Sequence, residues 1–191
     1  MRKLLLIALV IMSAVALIQG GWIHAKAMLA QYLIAESWAE QRLGRARAKP
    51  WPWADTWPVA RLQVPELGID QFVLAGANGR VLAFGPGHIN GTAMPASGGN
   101  TVISGHRDTH FRWLKNLKNG SHITLTMPDG RQVSYVVKNR QVISMQDTWA
   151  LEERGIHLLR LLTCYPFDAV MPGGSRRYLV TAEVEQPEIT F

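Results

Sequence analysis

Cys164 is the single cysteine in a chain of 191 residues, and it closes the apolar run LLRLLTC at 158–164. One cysteine excludes an intramolecular disulfide and a multi-cysteine zinc site. Two uses of the thiol remain, a small buried hydrophobe or a nucleophile. Side chains along a strand alternate between faces. Leu159, Leu161 and Thr163 then share one face, and Leu158, Arg160, Leu162 and Cys164 share the other. A charged arginine does not suit the interior of a small barrel, so Cys164 is expected on an outer or groove face. Pro166 stops ladder pairing soon after it.

A cysteine nucleophile needs thiolate character, which a histidine or another cation supplies. The chain has six histidines. His24 falls in the membrane-proximal helix, and His122 and His157 begin strand-like runs. His88 lies in the glycine-rich stretch FGPGHINGTAMPASGGN (84–100) and is a candidate site-lining residue. His106 and His110 lie in VISGHRDTH (102–110). His106 follows an apolar run and a glycine, a place where a ring can stand at the rim of a sheet. The bland alternative is a strand-end histidine bonded to backbone. A helix would bring His106 and His110 together as metal ligands, but the HExxH glutamate is missing and no third ligand is evident. No metal or other cofactor is expected.

Acyl-transfer chemistry also needs a group that stabilises an oxyanion. Arg176 and Arg177 open the run RRYLVTAEV (176–184). Tyr178, Val180, Ala182 and Val184 form its apolar face, with Arg176 in their parity. Arg177 shares the opposite face with Leu179, Thr181 and Glu183. Arg177 is therefore better placed beside Cys164, with Arg176 in reserve. The alternative is a pair of solvated arginines at a strand start.

The elements that must carry these residues read as β. From residue 59 onward, short apolar runs alternate with turn signals, as in sandwiches and barrels. The runs are 59–64, 70–75, 101–106, 122–127, 132–143, 157–164 and 177–184. PDG at 128–130 joins the fourth and fifth as a hairpin. Helix is expected only as short turns at 110–117 and 147–155. A loop as long as 84–100 in a small domain is usually functional.

The front of the chain differs. Arg2 and Lys3 precede about fifteen nearly unbroken apolar residues, and continuing to Ile23 gives about twenty, enough to cross a hydrocarbon core. Trp22 suits the interface. The preferred reading is an uncleaved signal-anchor over 1–23, the N-terminus inside and the rest outside the cytoplasm. A signal peptide cut after AVA (14–16) or AKA (25–27) is the alternative. Arg42, Arg45, Arg47 and Lys49 lie on the outer side in this orientation, beyond the range where positive charge governs topology. Residues 24–56 read as a membrane-proximal helix ended by the spacer KPWPWADTWP (49–58), whose prolines forbid continuous helix. Its tryptophans are expected to pack on the domain, with membrane contact as the alternative. The globular domain covers 57–191. The net charge of +6 and a pI near 9.8 suit anionic partners such as lipid headgroups. Lysine and arginine are scattered without interleaved aromatics, so no nucleic-acid partner is expected.

Taken in order, GNTVISGHRD, FRWLKNLKNGSHI, LLTCYPF and RYLV resemble the sortases, membrane-anchored cysteine transpeptidases. The shared pattern is an apolar strand ending in histidine, a Thr-Cys pair ending a later strand, and an arginine opening the last strand. It covers roughly residues 57–185. The KPWPWADTWP lead-in resembles the sortases of Gram-negative bacteria. The resemblance implies a mainly β fold, an eight-stranded sortase-type barrel with short helices after an N-terminal transmembrane helix. It implies Cys164 as nucleophile, His106 as acid and base, and Arg177 as oxyanion and substrate clamp. The partners implied are client proteins with an LPxTG-like C-terminal sorting signal, an amine acceptor, and the bilayer through the first helix. The implied location is the inner membrane, single-pass, with an extracytoplasmic domain that is periplasmic in a Gram-negative cell. Two other classes compete. In L,D-transpeptidases the cysteine sits in an S-x-G-C loop that LLTCY does not match, and a hydrolytic cysteine peptidase would only cleave. In a non-catalytic tethered binding domain, Cys164 would be incidental.

Overall fold

Alternating apolar and polar residues from position 58 onward close into a barrel with strand order β1-β2-β3-β4-β7-β8-β6-β5. The computed structural model describes residues 2–153, 157–171 and 173–185. The strands are β1 (Pro58–Val64), β2 (Ile69–Ala75), β3 (Gly87–His88), β4 (Asn100–Ser104), β5 (His122–Thr126), β6 (Gln132–Ser144), β7 (Leu158–Tyr165) and β8 (Arg176–Val184). Two neighbouring pairs are parallel, β2 with β3 and β4 with β7. The remaining pairs are antiparallel, and β1 against β5 closes the ring.

Seven strands follow the seven apolar runs. The eighth, β3, is two residues long and lies inside the glycine-rich stretch 84–100. No periodicity is visible in two residues, which is why composition marks that stretch only as loop. The expected strand at 101–106 is Asn100–Ser104, so His106 lies beyond its end. The expected short turns are three-ten turns, Arg112–Asn116 and Thr148–Leu151. The last two residues of the 147–155 segment lie outside the described residues, as does the tail 186–191 of the expected domain. A short helix α2 (Gly79–Leu82), capped by Asn78 accepting from the Arg80 and Val81 N–H groups, stands where the sequence reads only as a turn.

The interior is filled by alternate residues: Leu62 and Val64 from β1, Ile103 from β4, Ile123 and Leu125 from β5, Leu159 and Leu161 from β7, and Val180 and Ala182 from β8. Phe111, Leu114 and Leu117, from the segment after β4, plug the same core and are fully buried. The parallel partners β4 and β7 are buried on both faces over most of their length, which explains their continuous apolar character.

Before the barrel runs one helix, α1 (Arg2–Arg42), 41 residues long and unbroken at residue 23. Residues 9–29 of it are exposed, and it is long and apolar enough to cross a membrane. Its C-terminal part docks on the barrel through buried Ala30, Ile34 and Trp38, and Trp38 meets Phe72 at 5.5 Å. The helix stops before the proline-rich spacer reaches it. Gly44 takes φ +98°, its N–H donates to Gln41, and the Arg45 N–H donates to Glu40. This pair of bonds is a Schellman stop, a geometry glycine adopts without strain. In the spacer, Trp51 packs edge-on against Phe84 at 5.0 Å and Trp57 packs on the barrel core, whereas Trp53 remains 82% exposed.

Candidate active site

Strand β7 lies between β4 and β8 and positions Cys164. Leu159 and Leu161 point into the core. Thr163 follows their parity, is buried, and its Oγ1 donates to the Gly105 carbonyl at 2.7 Å. Cys164 therefore faces outward, and it is half-buried. The outer face is not open water along its whole length. Arg160, 3% exposed, lies beneath the segment joining β6 to β7. Its Nη1 donates to the Ala150 and Trp149 carbonyls at 2.7 and 3.3 Å, and its guanidinium stands 5.3 Å from the Trp149 ring. Parity thus sets Arg160 outside the barrel, and its burial comes from a covering turn that parity does not reveal. Leu162 packs with Ile143, Trp149, Ala150 and Leu179 under the same cover. Asn100 Nδ2 pins the cover by donating to the Ala150 and Glu152 carbonyls.

Directly opposite Cys164 in the antiparallel β7–β8 ladder stands Arg177, and Arg176 stands opposite Tyr165. Antiparallel partners project to the same face with Cβ atoms about 4.5–5.5 Å apart. Arg177 and Cys164 therefore share the outer face. Arg176 has the parity of Tyr178 and is exposed at the strand's start. Arg177 Nη1 donates to the Gly174 and Arg176 carbonyls at 2.7 and 2.8 Å. Those bonds curl the guanidinium over the entrance to β8. Its Nε and Nη2 donate to none of the described residues and remain for a ligand. Beneath the pair, Tyr165 stacks on Tyr178 at 6.2 Å and Phe167 meets Tyr178 edge-on at 5.1 Å.

His106 comes from the parallel neighbour, β4. Ladder β4–β7 ends with Ser104 beside Leu162, and the Gly105 N–H donates to the Leu162 carbonyl at 3.1 Å. His106 follows two residues beyond the last pair, at the end of β4 that lies toward the Cys164 end of β7. The ring is exposed, and none of the described residues hydrogen-bonds it. Its backbone is fixed, because the Phe111 N–H donates to the His106 carbonyl at 2.9 Å. A Cβ at position 105 would come within 2.8 Å of the Phe111 ring, so glycine lets the turn close over that buried aromatic.

Arg107 is a residue that the sequence reading passes over. It is only 4% exposed. Its Nη1 donates to the Pro166 carbonyl at 2.7 Å and its Nη2 to the Ala169 carbonyl at 2.9 Å. Asp108 grips the same guanidinium through Nε at 2.9 Å and Nη2 at 3.1 Å. Arg107 thus ties the turn carrying His106 to the loop that follows Cys164. Bidentate charge-assisted bonds of this kind are strong and geometrically specific. The Asp108 bond holds Arg107 above the ordinary guanidinium range; burial opposes this, and Cys164 and Asp168 add small attractive contributions. Arg107 in turn holds the Asp108 carboxyl below its usual range, against a smaller opposing effect of burial, with His106 and Arg112 nearby. Asp108 is therefore engaged with Arg107.

The other histidines fall elsewhere. His88 is buried in β3, and its Nε2 lies 2.9 Å from the Ala93 carbonyl and 3.1 Å from the Thr92 hydroxyl, so its ring braces the loop. His122 and His157 are exposed at strand starts. His110 is half-buried, and burial pushes its pKa down, with the charge of nearby His106 adding to this and a backbone hydrogen bond at Ala83 opposing it.

The sortase domain matches residues 62–185. Sortase D of Bacillus subtilis strain 168 is 29% identical over 120 residues, 62% of this chain, and the chain spans 60% of that relative's length. A Clostridium perfringens sortase D5 transpeptidase has a similar structure, with TM-score 0.60 and 27% identity over 68% of this chain and 80% of the other. Sortase A from Corynebacterium diphtheriae gives TM-score 0.63 and 27% identity, covering 73% of this chain and 66% of the other. A domain match over most of the chain, on the same closed eight-stranded barrel, places this chain in the sortase family.

Proposed function

We propose that this chain is a membrane-anchored cysteine transpeptidase that cleaves the C-terminal sorting signal of client proteins and joins them to an amine. The observation that carries the reading is the shared outer face of Cys164 and Arg177, and the β4–β7 register, which ends two residues before His106 and before Cys164, supports His106 as their partner. In the reaction, the Cys164 thiolate attacks a backbone carbonyl of the sorting signal. Its oxygen gains negative charge against the free Nε and Nη2 donors of Arg177. The carbon–nitrogen bond breaks, and His106 gives its proton to the leaving amine. A thioester remains on Cys164. An incoming amine attacks it, the carbon–sulfur bond breaks, and the amine's proton passes to His106, restoring thiolate and imidazolium. Amine outcompetes water when the site orients it and limits solvent.

In this reading, 1–23 is the anchor, 24–56 the membrane-proximal helix and spacer, and 57–191 the catalytic domain outside the cytoplasm. The Trp- and Pro-rich spacer favours the sortase group of Gram-negative bacteria and hence a periplasmic domain. LPxTG-like signals are the substrate class implied by the family.

The test uses the purified full-length chain in detergent, a library of LPxTG-type peptides, and hydroxylamine as the amine. Mass spectrometry should find an acyl adduct on Cys164 and then a peptide hydroxamate. Cys164→Ala should form neither. Cleavage without hydroxamate would make the chain a peptidase, and no adduct across the library would overturn the acyl-enzyme reading.

A further inference from the structure

Away from Cys164, a cavity of about 620 Å³ opens where α1, the tryptophan-rich spacer and α2 meet. That is the size of a small-ligand site. Its walls include Leu29, Leu33, Trp51, Trp53, Val81 and Phe84. It is preformed, because α1 is docked beside it through Ile34, and Gln31 Nε2 donates to the Phe84 carbonyl at 2.7 Å. None of Cys164, His106 and Arg177 lines it.

Its height along the helix is informative. Lys26 is the first charged residue after Lys3, and it lines the cavity. Its ammonium sits 5.0 Å over the Trp22 ring, an arrangement suited to the headgroup level. From Lys26 to Leu33 a helix rises about 10 Å. The polar layer on each side of a bilayer is about 5–8 Å deep. The cavity therefore begins at the edge of the hydrocarbon and extends outward through the headgroups. Trp53 and Leu29, 82% and 56% exposed, border it and offer apolar surface at that level. Two cationic residues, Lys26 and Arg80, line it against one acidic residue, Asp55. An apolar cavity with net positive charge, continuous with a helix able to span a membrane, matches a molecule with a hydrocarbon tail and an anionic head.

We infer that this cavity holds one anionic phospholipid drawn from the outer leaflet, its phosphate at Lys26 and Arg80 and one acyl chain turned outward from the bilayer against Leu29, Leu33, Val81 and Phe84. The bound lipid completes the junction between anchor and barrel and fixes the domain's height above the membrane. This rests on α1 entering the bilayer and not on the chemistry of Cys164.

The test places the full-length chain in nanodiscs of phosphatidylcholine and phosphatidylglycerol with a phosphatidylglycerol tracer bearing an acyl-chain diazirine. After illumination, labelled residues are mapped by mass spectrometry. Label is expected within 9–18 of α1, where any spanning helix meets lipid, and also on Val81 and Phe84 of the barrel. Ala83→Trp, which fills the cavity from an exposed position, should abolish label at Val81 and Phe84 while sparing 9–18. The surface pair Lys26→Gln with Arg80→Gln should abolish the preference for this tracer over its phosphatidylcholine counterpart. Label confined to α1, or Val81 and Phe84 crosslinked to a second copy in place of lipid, overturns the inference. A retained barrel label with no headgroup preference overturns its anionic part. Failure to label 9–18 overturns the anchor reading instead, which separates the two.

Discussion

Two sides of the site are built differently. On one side, Cys164 and Arg177 face each other across a continuous antiparallel ladder. On the other, His106 sits two residues beyond the end of a parallel ladder, on a turn held by Phe111 below and Arg107 beside it. The first juxtaposition is fixed by strand register and survives any change that leaves the barrel closed. The second depends on a few side-chain contacts and is the side that single substitutions can move.

The sharpest contrast comes from removing each partner. His106→Ala should lower kcat/KM by about 10²–10⁴-fold, the range for a positioned acid and base. Arg177→Ala should lower it by about 10²–10³-fold, the range for one oxyanion donor. His106 is exposed, so its removal should leave stability within about 0.5 kcal/mol. Peptide-cleavage kinetics and thermal melting of both variants check this. An active His106→Ala enzyme would break the assignment of the turn side and leave the ladder side standing.

Arg107 tests whether the turn needs its tether. Loss of positioning of the order of 1 Å can cost about a hundredfold in rate. Arg107→Ala should therefore lower kcat by about 10–100-fold with KM little changed, because Arg107 positions the turn without joining the reaction. Arg107→Lys should recover only part of the rate. A single ammonium cannot reproduce the bonds to Pro166, Ala169 and both Asp108 oxygens. If kcat is unchanged in Arg107→Ala while stability falls, the tether is structural only. Gly105→Ala acts from below. Its Cβ would collide with the Phe111 ring, and overpacking of this kind costs about 1–3 kcal/mol. Denaturant titration should show that loss, with kcat reduced in the fraction that stays folded.

The same division explains what the sequence reveals. Alternation along LLRLLTC and RRYLVTAEV is enough to assign Cys164 and Arg177 to one outer face, because a period of two is a local property. The burial of Arg160 is not legible, since it depends on the Trp149–Ala150 turn arriving from elsewhere in the chain. Arg107 is harder still. In sequence it is one charged residue of HRD in a loop, and nothing local says that two carbonyls from the loop after Cys164 need its donors. The two-residue β3 and four-residue α2 are too short to carry a period. The end of α1 turns on Gly44, six residues before Pro50, although the prolines are the louder signal.

The smallest expected effect is also on the turn side, and it depends on pH. Burial lowers the pKa of His110 in the folded protein, and the charge of His106 pushes the same way. In the unfolded chain the group returns to about 6.5. Between the depressed folded value and about 6.5, the unfolded state binds more protons than the folded one, so stability rises with pH across that window. The folded state keeps its full advantage above about pH 6.5 and loses it as pH falls below. His110→Gln removes this titration. Denaturant unfolding of wild type and variant between about pH 5 and 7.5 should show a shallower loss of stability on acidification in the variant. Parallel slopes would mean that His110 is solvated enough to titrate alike in both states. The turn would then hold His106 through Phe111 and Arg107, with no contribution from a neutral neighbouring imidazole.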